Sequence, residues 1–184
     1  MKSEMKQVLF LDRDGIVNQD KHFVSRVEDI AFVEGIFQLC KYFKAQGFEI
    51  VIITNQSGIA RGLFSEQDFQ RVMTFILEEF KRKEVDILDF FHCPHGPDDK
   101  CECRKPLPGL FTQAIQKFNI FPQDCISIGD RERDIRAAIS AGIQQNYLLI
   151  ESEHGASQMS GPIIVRSLTE IIEIHQSLPP EPQN

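Results

Sequence analysis

The 184-residue sequence predicts an α/β fold, a Rossmann-like parallel sheet with helices on both faces. Apolar runs alternate with amphipathic stretches along most of the chain, as expected for successive βαβ units. The first run, Val8 to Leu11, is apolar throughout, which is typical of a strand covered on both faces. Hydrophobic residues make up 42% and charged residues 26% of the chain, so the composition suits a globular protein with a full core.

Six strands are predicted from the apolar runs, and the last of them has the weakest pattern. They cover about 7–12, 48–53, 87–92, 125–128, 146–150 and 163–165.

The amphipathic segments predict five helices. In the first helix, apolar residues recur at helical spacing and Gly47 follows its end. These apolar residues are Ile36, Leu39, Cys40 and Phe43. The second helix starts at Ser65, which can form a capping box with Asp68. The remaining helices begin near Pro108, near Asp134 and at about residue 167, the last one ending at about 177.

The whole chain is predicted to form one domain over residues 1–178, followed by a flexible tail at 179–184. The amino-terminal MKSEMKQ lacks a hydrophobic signal core, and no stretch approaches about 18 uninterrupted apolar residues. We therefore expect a cytoplasmic protein. A net charge of −7 argues against nucleic acid or an anionic membrane as the main partner. We expect a small-molecule substrate, and we expect the protein to be a monomer.

The first strand ends in two carboxylates one residue apart, Asp12 and Asp14, followed by Gly15. Ligands collect at the carboxyl ends of parallel strands, and residues i and i+2 of an extended segment point to the same side. Two carboxylates in one site repel each other, so either a divalent cation binds there or one carboxyl keeps its proton as a general acid. A polar turn in which the aspartates cap backbone amides is the alternative.

The second strand also ends in polar residues, Thr54, Asn55, Gln56 and Ser57, which offer neutral donors to phosphate oxygens. An ordinary asparagine turn would have the same sequence pattern.

Two adjacent cations, Arg104 and Lys105, stand just before the third helix. Arg can bind a phosphate in bidentate fashion, and Lys can act as a point charge, although a solvated basic pair would look the same. A further strand end carries Asp130, whose carboxylate suits a hard ion such as Mg²⁺.

A short loop between positions 93 and 103 carries four residues that commonly bind zinc. Cys93 and His95 form a C-x-H pair, and Cys101 and Cys103 form a C-x-C pair. Three thiolates and one imidazole make a closed tetrahedral set, which is typical of structural Zn²⁺. The sequence thus predicts a zinc loop that fixes the direction of Arg104 and Lys105, which follow it directly.

The order of these strand ends resembles the haloacid-dehalogenase superfamily of phosphotransferases over roughly the first 150 residues. Its four motifs map onto Asp12 with Asp14, Thr54, Lys105, and Asp130 with Asp134. The resemblance implies a HAD-like fold and a catalytic set of Asp12, Asp14, Thr54 and Lys105. In that mechanism Asp12 forms an aspartyl-phosphate and Asp14 acts as general acid and base, while Mg²⁺ bridges Asp12, the Asp14 carbonyl and Asp130.

The zinc loop narrows the resemblance to the heptose-bisphosphate phosphatases and the histidinol-phosphate phosphatases, which are small and have no cap domain. TNQSGIARGLFSEQDF, CRKPLPGLF and the segment from Asp20 to Phe23 are closer to the heptose enzymes, whereas the five-residue gap between His95 and Cys101 is closer to the histidinol-phosphate enzymes. The resemblance implies that the following residues contact the substrate: Asp20, Lys21, His22, Phe23, Thr54, Asn55, Gln56, Ser57, Arg104, Lys105 and Arg131. Two departures are Ile16, where threonine is usual, and Arg131, where lysine is common in the heptose enzymes.

We therefore expect a Mg²⁺-dependent phosphatase with a structural Zn²⁺. The implied reaction removes the 7-phosphate of D-glycero-D-manno-heptose 1,7-bisphosphate on the route to nucleotide-activated heptose. Histidinol phosphate is the alternative substrate. A non-catalytic, zinc-stabilised phosphate-binding module is a third hypothesis, which the presence of both Asp12 and Asp14 disfavours.

Overall fold

The computed structural model describes residues 6–150 and 161–177. It contains a six-stranded, fully parallel sheet with the strand order β3-β2-β1-β4-β5-β6. The strands are β1 (Val8–Leu11), β2 (Glu49–Asn55), β3 (Asp89–Cys93), β4 (Ile126–Gly129), β5 (Gln145–Leu149) and β6 (Ile163–Val165). All six predicted strands are confirmed, and β2 runs two residues further than expected.

Among the described residues, four α-helices connect successive strands from β1 to β5, and a fifth follows β6. They are α1 (Ile36–Ala45), α2 (Glu66–Arg82), α3 (Gly109–Phe118), α4 (Glu132–Ser140) and α5 (Leu168–Ser177). The predicted capping box before α2 is present, with the Asp68 amide donating to the Ser65 hydroxyl and the Ser65 amide donating to the Asp68 carboxylate. Helix α4 begins at Glu132, close to the predicted start near Asp134, and the Asp134 carboxylate in its first turn accepts the Arg131 amide.

Strand β1 divides the core into two layers. Its alternate residues Leu9 and Leu11 pack with the apolar faces of α1, α2 and α5, whereas Val8 and Phe10 pack with α3 and α4. All four side chains are at most 1% exposed. The prediction of helices on both faces is therefore confirmed.

The direction of the crossovers reverses at β1, which lies between β2 and β4. In open parallel sheets this reversal opens a crevice at the carboxyl ends of the strands. The connection from β1 to α1, residues 12–35, contains one short 3₁₀ helix, Val27–Asp29, and no cap domain. This connection therefore contributes loop residues to the edge of the crevice but no separate domain over it.

Within the described ranges, no helix is both long enough and apolar enough to cross a bilayer. The predicted tail at 179–184 lies outside the described residues, and the extent of the single domain, 1–178, stays a prediction.

Candidate active site

At the crevice, Lys105 contacts groups from β2, from the end of β1 and from the first turn of α4. Its ammonium group donates to Asp12 Oδ1 at 2.7 Å and to the Ile53 carbonyl at 2.8 Å, and it forms an ion pair with Asp134 Oδ1 at 2.7 Å. Lys105 and Asp134 are each 2% exposed, and Asp12 is 7% exposed. The basic pair at 104–105 is therefore not a solvated patch, because its second member is buried among carboxylates.

Three carboxylates surround this ammonium group. Asp12, Asp130 and Asp134 each offer an oxygen, and these oxygens lie within 4.8 Å of one another. Three carboxylates here face two cations, the buried Lys105 and the exposed Arg131, whose Nε lies 3.1 Å from Asp130, so the cluster is short of positive charge. Hard carboxylate oxygens are the ligands that Mg²⁺ prefers. The donor set thus fits a divalent cation. Sequence reasoning placed Asp134 in the fourth motif but not among the metal ligands, whereas the structure brings it as close as Asp130.

Burial and mutual repulsion disfavour the ionised carboxylates. Burial raises the pKa of Asp12 well above its usual value, with a further rise from Asp134 and Asp130 that Lys105 opposes. Burial together with the Asp134 charge raises the pKa of Asp130 to about 6. Burial opposes the charge of Lys105, but the charges of Asp12 and Asp134 outweigh it and raise the Lys105 pKa. An added cation would relieve this repulsion.

Asp14 has its own set of partners. Its carboxylate accepts hydrogen bonds from Arg13 Nε at 3.1 Å and Arg13 Nη2 at 2.7 and 2.8 Å, from Asn18 Nδ2 at 3.1 Å and from Gln56 Nε2 at 2.9 Å. The Asp14 side chain is 24% exposed, so a bound molecule can reach it. Sequence reasoning missed Arg13 and Asn18. The only sequence signal for Arg13 was its place between the two acids. In an extended strand, however, the side chain between two such residues points to the opposite face, away from the site.

The end of β2 and the residues that follow it connect the two sets. Gln56 Nε2 donates to Asp14 Oδ2 and to Thr54 Oγ1, each at 2.9 Å, and both Thr54 and Gln56 are buried. The Asn55 side chain exchanges two hydrogen bonds of 3.0 Å with the backbone of Lys105. These amides are already engaged with protein groups, so they hold Asp14 and Lys105 in place. The Ser57 carbonyl accepts the Arg61 amide at 3.1 Å.

Gly15 allows Asp130 to approach the end of β1. Its φ of +92° lies in the left-handed region, and a Cβ at this position would meet Asp130 Oδ2 at 2.4 Å. Both features require glycine. The turn after Asp14 and the position of Asp130 are therefore coupled.

An exposed rim lies beside these buried groups. Arg131 Nε contacts Asp130 at 3.1 Å, and Arg131 Nη2 reaches Asp20 at 3.4 Å. The Arg61 guanidinium lies 5.7 Å from the centre of the Phe23 ring. Lys21 donates to the Asp29 carbonyl, and His22 is 87% exposed. The structure thus connects the segment 20–23 to the loops after β2 and β4.

The four residues of the predicted zinc loop converge. Cys93 Sγ lies 3.5 Å from His95 Nδ1 and 3.8 Å from Cys101 Sγ, and His95 Nδ1 lies 3.2 Å from Cys103 Sγ. A tetrahedron with Zn–S bonds of about 2.3 Å and Zn–N bonds of about 2.0 Å has S–S edges of about 3.8 Å and S–N edges of about 3.5 Å. The spacing therefore fits a zinc ion. Arg104 Nη1 donates to the His95 carbonyl at 3.2 Å, so the loop also orients Arg104.

Comparisons with known proteins agree with this geometry. A family model described as haloacid dehalogenase-like hydrolase matches residues 4–142. The D-glycero-alpha-D-manno-heptose-1,7-bisphosphate 7-phosphatase of Campylobacter jejuni is 42% identical over 147 residues, 80% of this chain and 84% of the relative. The D-glycero-beta-D-manno-heptose-1,7-bisphosphate 7-phosphatase of Helicobacter pylori strain 26695 is also 42% identical over 147 residues, 79% of this chain and 85% of the relative.

A solved structure is similar over nearly the whole fold. The D,D-heptose 1,7-bisphosphate phosphatase from B. bronchiseptica, complexed with magnesium and phosphate, superposes with a TM-score of 0.84 at 30% identity. The match covers 95% of this chain and 100% of that chain. The family model, these relatives and this fold together show that the chain belongs to the haloacid dehalogenase-like hydrolases.

Proposed function

We propose that this protein is a phosphatase that removes the 7-phosphate of D-glycero-D-manno-heptose 1,7-bisphosphate, in the synthesis of nucleotide-activated heptose. One observation carries the proposal. A buried Asp12–Lys105 pair within an acidic cluster lies at the end of β1, in a chain that is 42% identical to two heptose-bisphosphate 7-phosphatases. The relatives support this substrate over histidinol phosphate.

Asp12 is the proposed nucleophile. One of its oxygens attacks the phosphorus, the bond between phosphorus and the sugar oxygen breaks, and an aspartyl-phosphate forms. Lys105 stays next to Asp12 and offsets negative charge on the transferring group. Water then attacks the same phosphorus, the bond to Asp12 breaks, and inorganic phosphate leaves. Thr54 would contribute its hydroxyl from the end of β2.

Asp14 is the proposed general acid and base. Its carboxyl gives a proton to the departing sugar oxygen and takes one from the attacking water in the second step. The partial exposure of its side chain supports this role, since the group has to reach the leaving oxygen.

We propose that Asp12, the Asp14 carbonyl and Asp130 hold Mg²⁺, with the Asp134 carboxylate beside them. The bound ion would supply positive charge that offsets repulsion between the Asp12 carboxylate and an anionic phosphate. The shortage of cations in this cluster supports the assignment.

We propose that Cys93, His95, Cys101 and Cys103 hold a structural Zn²⁺. Four protein ligands leave no position for water, so the ion would shape the loop without activating a nucleophile. Its consequence for the reaction is the position of Arg104, which is bound to the His95 carbonyl.

Contacts with the sugar are proposed for the rim, for the end of β2 with the residues that follow it, and for the two cations before α3. The residues are Asp20, Lys21, His22, Phe23, Thr54, Asn55, Gln56, Ser57, Arg104, Lys105 and Arg131. Nucleoside triphosphates, which convert sugar phosphates to nucleotide-activated sugars, are cytoplasmic metabolites, and we propose that the enzyme works in the cytoplasm.

The test is a side-by-side phosphate-release assay. Both anomers of the heptose bisphosphate and histidinol phosphate are offered to the wild type and to Asp12→Asn, with and without magnesium. We expect magnesium-dependent release from at least one heptose anomer, weaker release from histidinol phosphate, and a loss of at least about 10³-fold in Asp12→Asn. Release from none of the three compounds would refute the phosphatase proposal and favour a binding module.

A further inference from the structure

We propose that Arg13 is a positioning residue that fixes the carboxyl group of Asp14 for proton transfer. The inference rests on the proposed function, in which Asp14 is the general acid and base. Arg13 lies between Asp12 and Asp14 in the sequence, and its side chain turns to contact Asp14. Arg13 itself is completely buried, so its role is to act through Asp14.

The contact between Arg13 and Asp14 is a fork. Nε and Nη2 donate to Oδ1 at 3.1 and 2.7 Å, and Nη2 also donates to Oδ2 at 2.8 Å. Asn18 and Gln56 each add one hydrogen bond. Arg13 is thus the charged partner of Asp14, and a planar guanidinium that binds both carboxylate oxygens sets the rotation of that carboxylate as well as its place.

The guanidinium group is itself held from two further directions. Nη2 donates to the Val24 carbonyl at 3.2 Å, and the group lies 5.7 Å from the centre of the Phe69 ring. Arg13 is 0% exposed, and its Nη1 has no hydrogen-bond partner among the described residues. Burying a cation with one donor unpaired is costly. A purely structural position would be occupied at lower cost by an apolar side chain, so the burial points to a role on Asp14.

The two buried cations of the site thus contact different carboxylates. Lys105 contacts Asp12 and Asp134, whereas Arg13 contacts Asp14. The nucleophile and the proton-transfer group are therefore oriented independently. Loss of the Arg13 fork should leave Asp12 in place and should affect only steps in which Asp14 moves a proton.

Leaving groups of different basicity test this inference. A sugar alkoxide needs a proton as it departs, whereas the nitrophenolate of p-nitrophenyl phosphate does not. We would measure the first turnover by rapid quench for heptose bisphosphate and by the nitrophenol burst for p-nitrophenyl phosphate, using the wild type, Arg13→Gln and Arg13→Lys. We expect Arg13→Gln to slow the sugar reaction by about 10²-fold and the nitrophenol burst by less than about tenfold, with little change in KM.

Arg13→Lys keeps the buried positive charge. It therefore keeps the test decisive if Arg13→Gln fails to fold. One ammonium donor cannot reproduce the fork, and we expect partial rescue of the sugar reaction. In an Asp14→Asn background, Arg13→Gln should cause no further loss beyond about twofold, because the two residues act as one unit. Val72→Ala, a core change on α2, is the control for lower stability alone.

Equal losses on both substrates, or an undiminished effect of Arg13→Gln in the Asp14→Asn background, would overturn the inference. These outcomes are separate from a failure of the proposed function. Absence of turnover by the wild type would remove the phosphatase proposal, whereas a wild type that turns over normally leaves the role of Arg13 to be decided by the variants.

Discussion

At the scale of single residues, we expect Asp130 to make both the stability of the protein and its binding of magnesium depend on pH. Its side chain is 16% exposed, and burial together with the Asp134 charge raises its pKa to about 6. Between about pH 4 and pH 6, the folded state therefore holds a proton that the unfolded chain has lost. Without added magnesium, the free energy of unfolding should fall by roughly 1–3 kcal/mol as the pH rises through this range.

The stabilisation that magnesium provides should increase as the pH rises, because magnesium binds the ionised carboxylates. The gain in melting temperature on adding magnesium should be larger at pH 7 than at pH 5. Thermal melts of the wild type and Asp130→Asn at both pH values test the assignment. If both proteins respond equally to pH and to magnesium, Asp130 is not the group responsible.

Gly15 offers a second prediction at this scale, with Gly47 as its matched control. Both residues have φ near +90°, but a Cβ at Gly47 has nothing within 4 Å, whereas one at Gly15 meets Asp130. Gly47→Ala should therefore cost only backbone strain, about 1–2 kcal/mol. Gly15→Ala should cost more and should also displace Asp130, so magnesium affinity measured by calorimetry should drop by at least about tenfold. Equal behaviour of the two variants would show that the close approach is unimportant.

At the scale of elements, the zinc loop is predicted to determine both stability and the position of Arg104. Removal of the metal leaves three thiols and an imidazole in close contact, and the loop loses its cross-link. We expect Cys101→Ser to lower zinc content, to lower the melting temperature by on the order of 10 °C and to reduce phosphatase activity. Cys125→Ala, a change at a buried thiol outside the loop, should keep its zinc. Full stability after verified metal removal would contradict a structural role.

The elements were predictable because their signals are local. The apolar run of β1 and the capping box of α2 depend on neighbouring residues in the chain, and both were found at their expected places. Arg13 and Lys105 differ in this respect. Each is packed against residues far away in the sequence, such as Asp134 for Lys105 and Phe69 for Arg13, and no short pattern reports those contacts. The convergence of Cys93 with Cys101 was predictable because a short loop restricts their separation.

At the scale of the whole molecule, the strand order explains why separate motifs form one site. β1 is central, β2 and β4 lie on either side of it, and all three end at the same edge of the sheet. Asp12 and Lys105 are far apart in the sequence but therefore contact each other, and no inserted domain is needed to bring them together. The parallel order follows from the βαβ alternation, whereas the depth at which the charged groups are buried depends on packing by both helical layers.

The proposed monomer is the remaining prediction at this scale. The large exposed apolar side chains of the described residues are few. They are Phe23, Leu63, Leu107, Ile139, Ile163 and Ile164. A stable interface usually buries about 800 Å² on each partner, and a net charge of −7 adds repulsion between copies. Light scattering at micromolar concentration should therefore give the mass of one chain, and activity per molecule should not change on dilution. A mass of two chains, together with activity lost on dilution and in Ile164→Lys, would show instead that strand β6 carries a dimer interface.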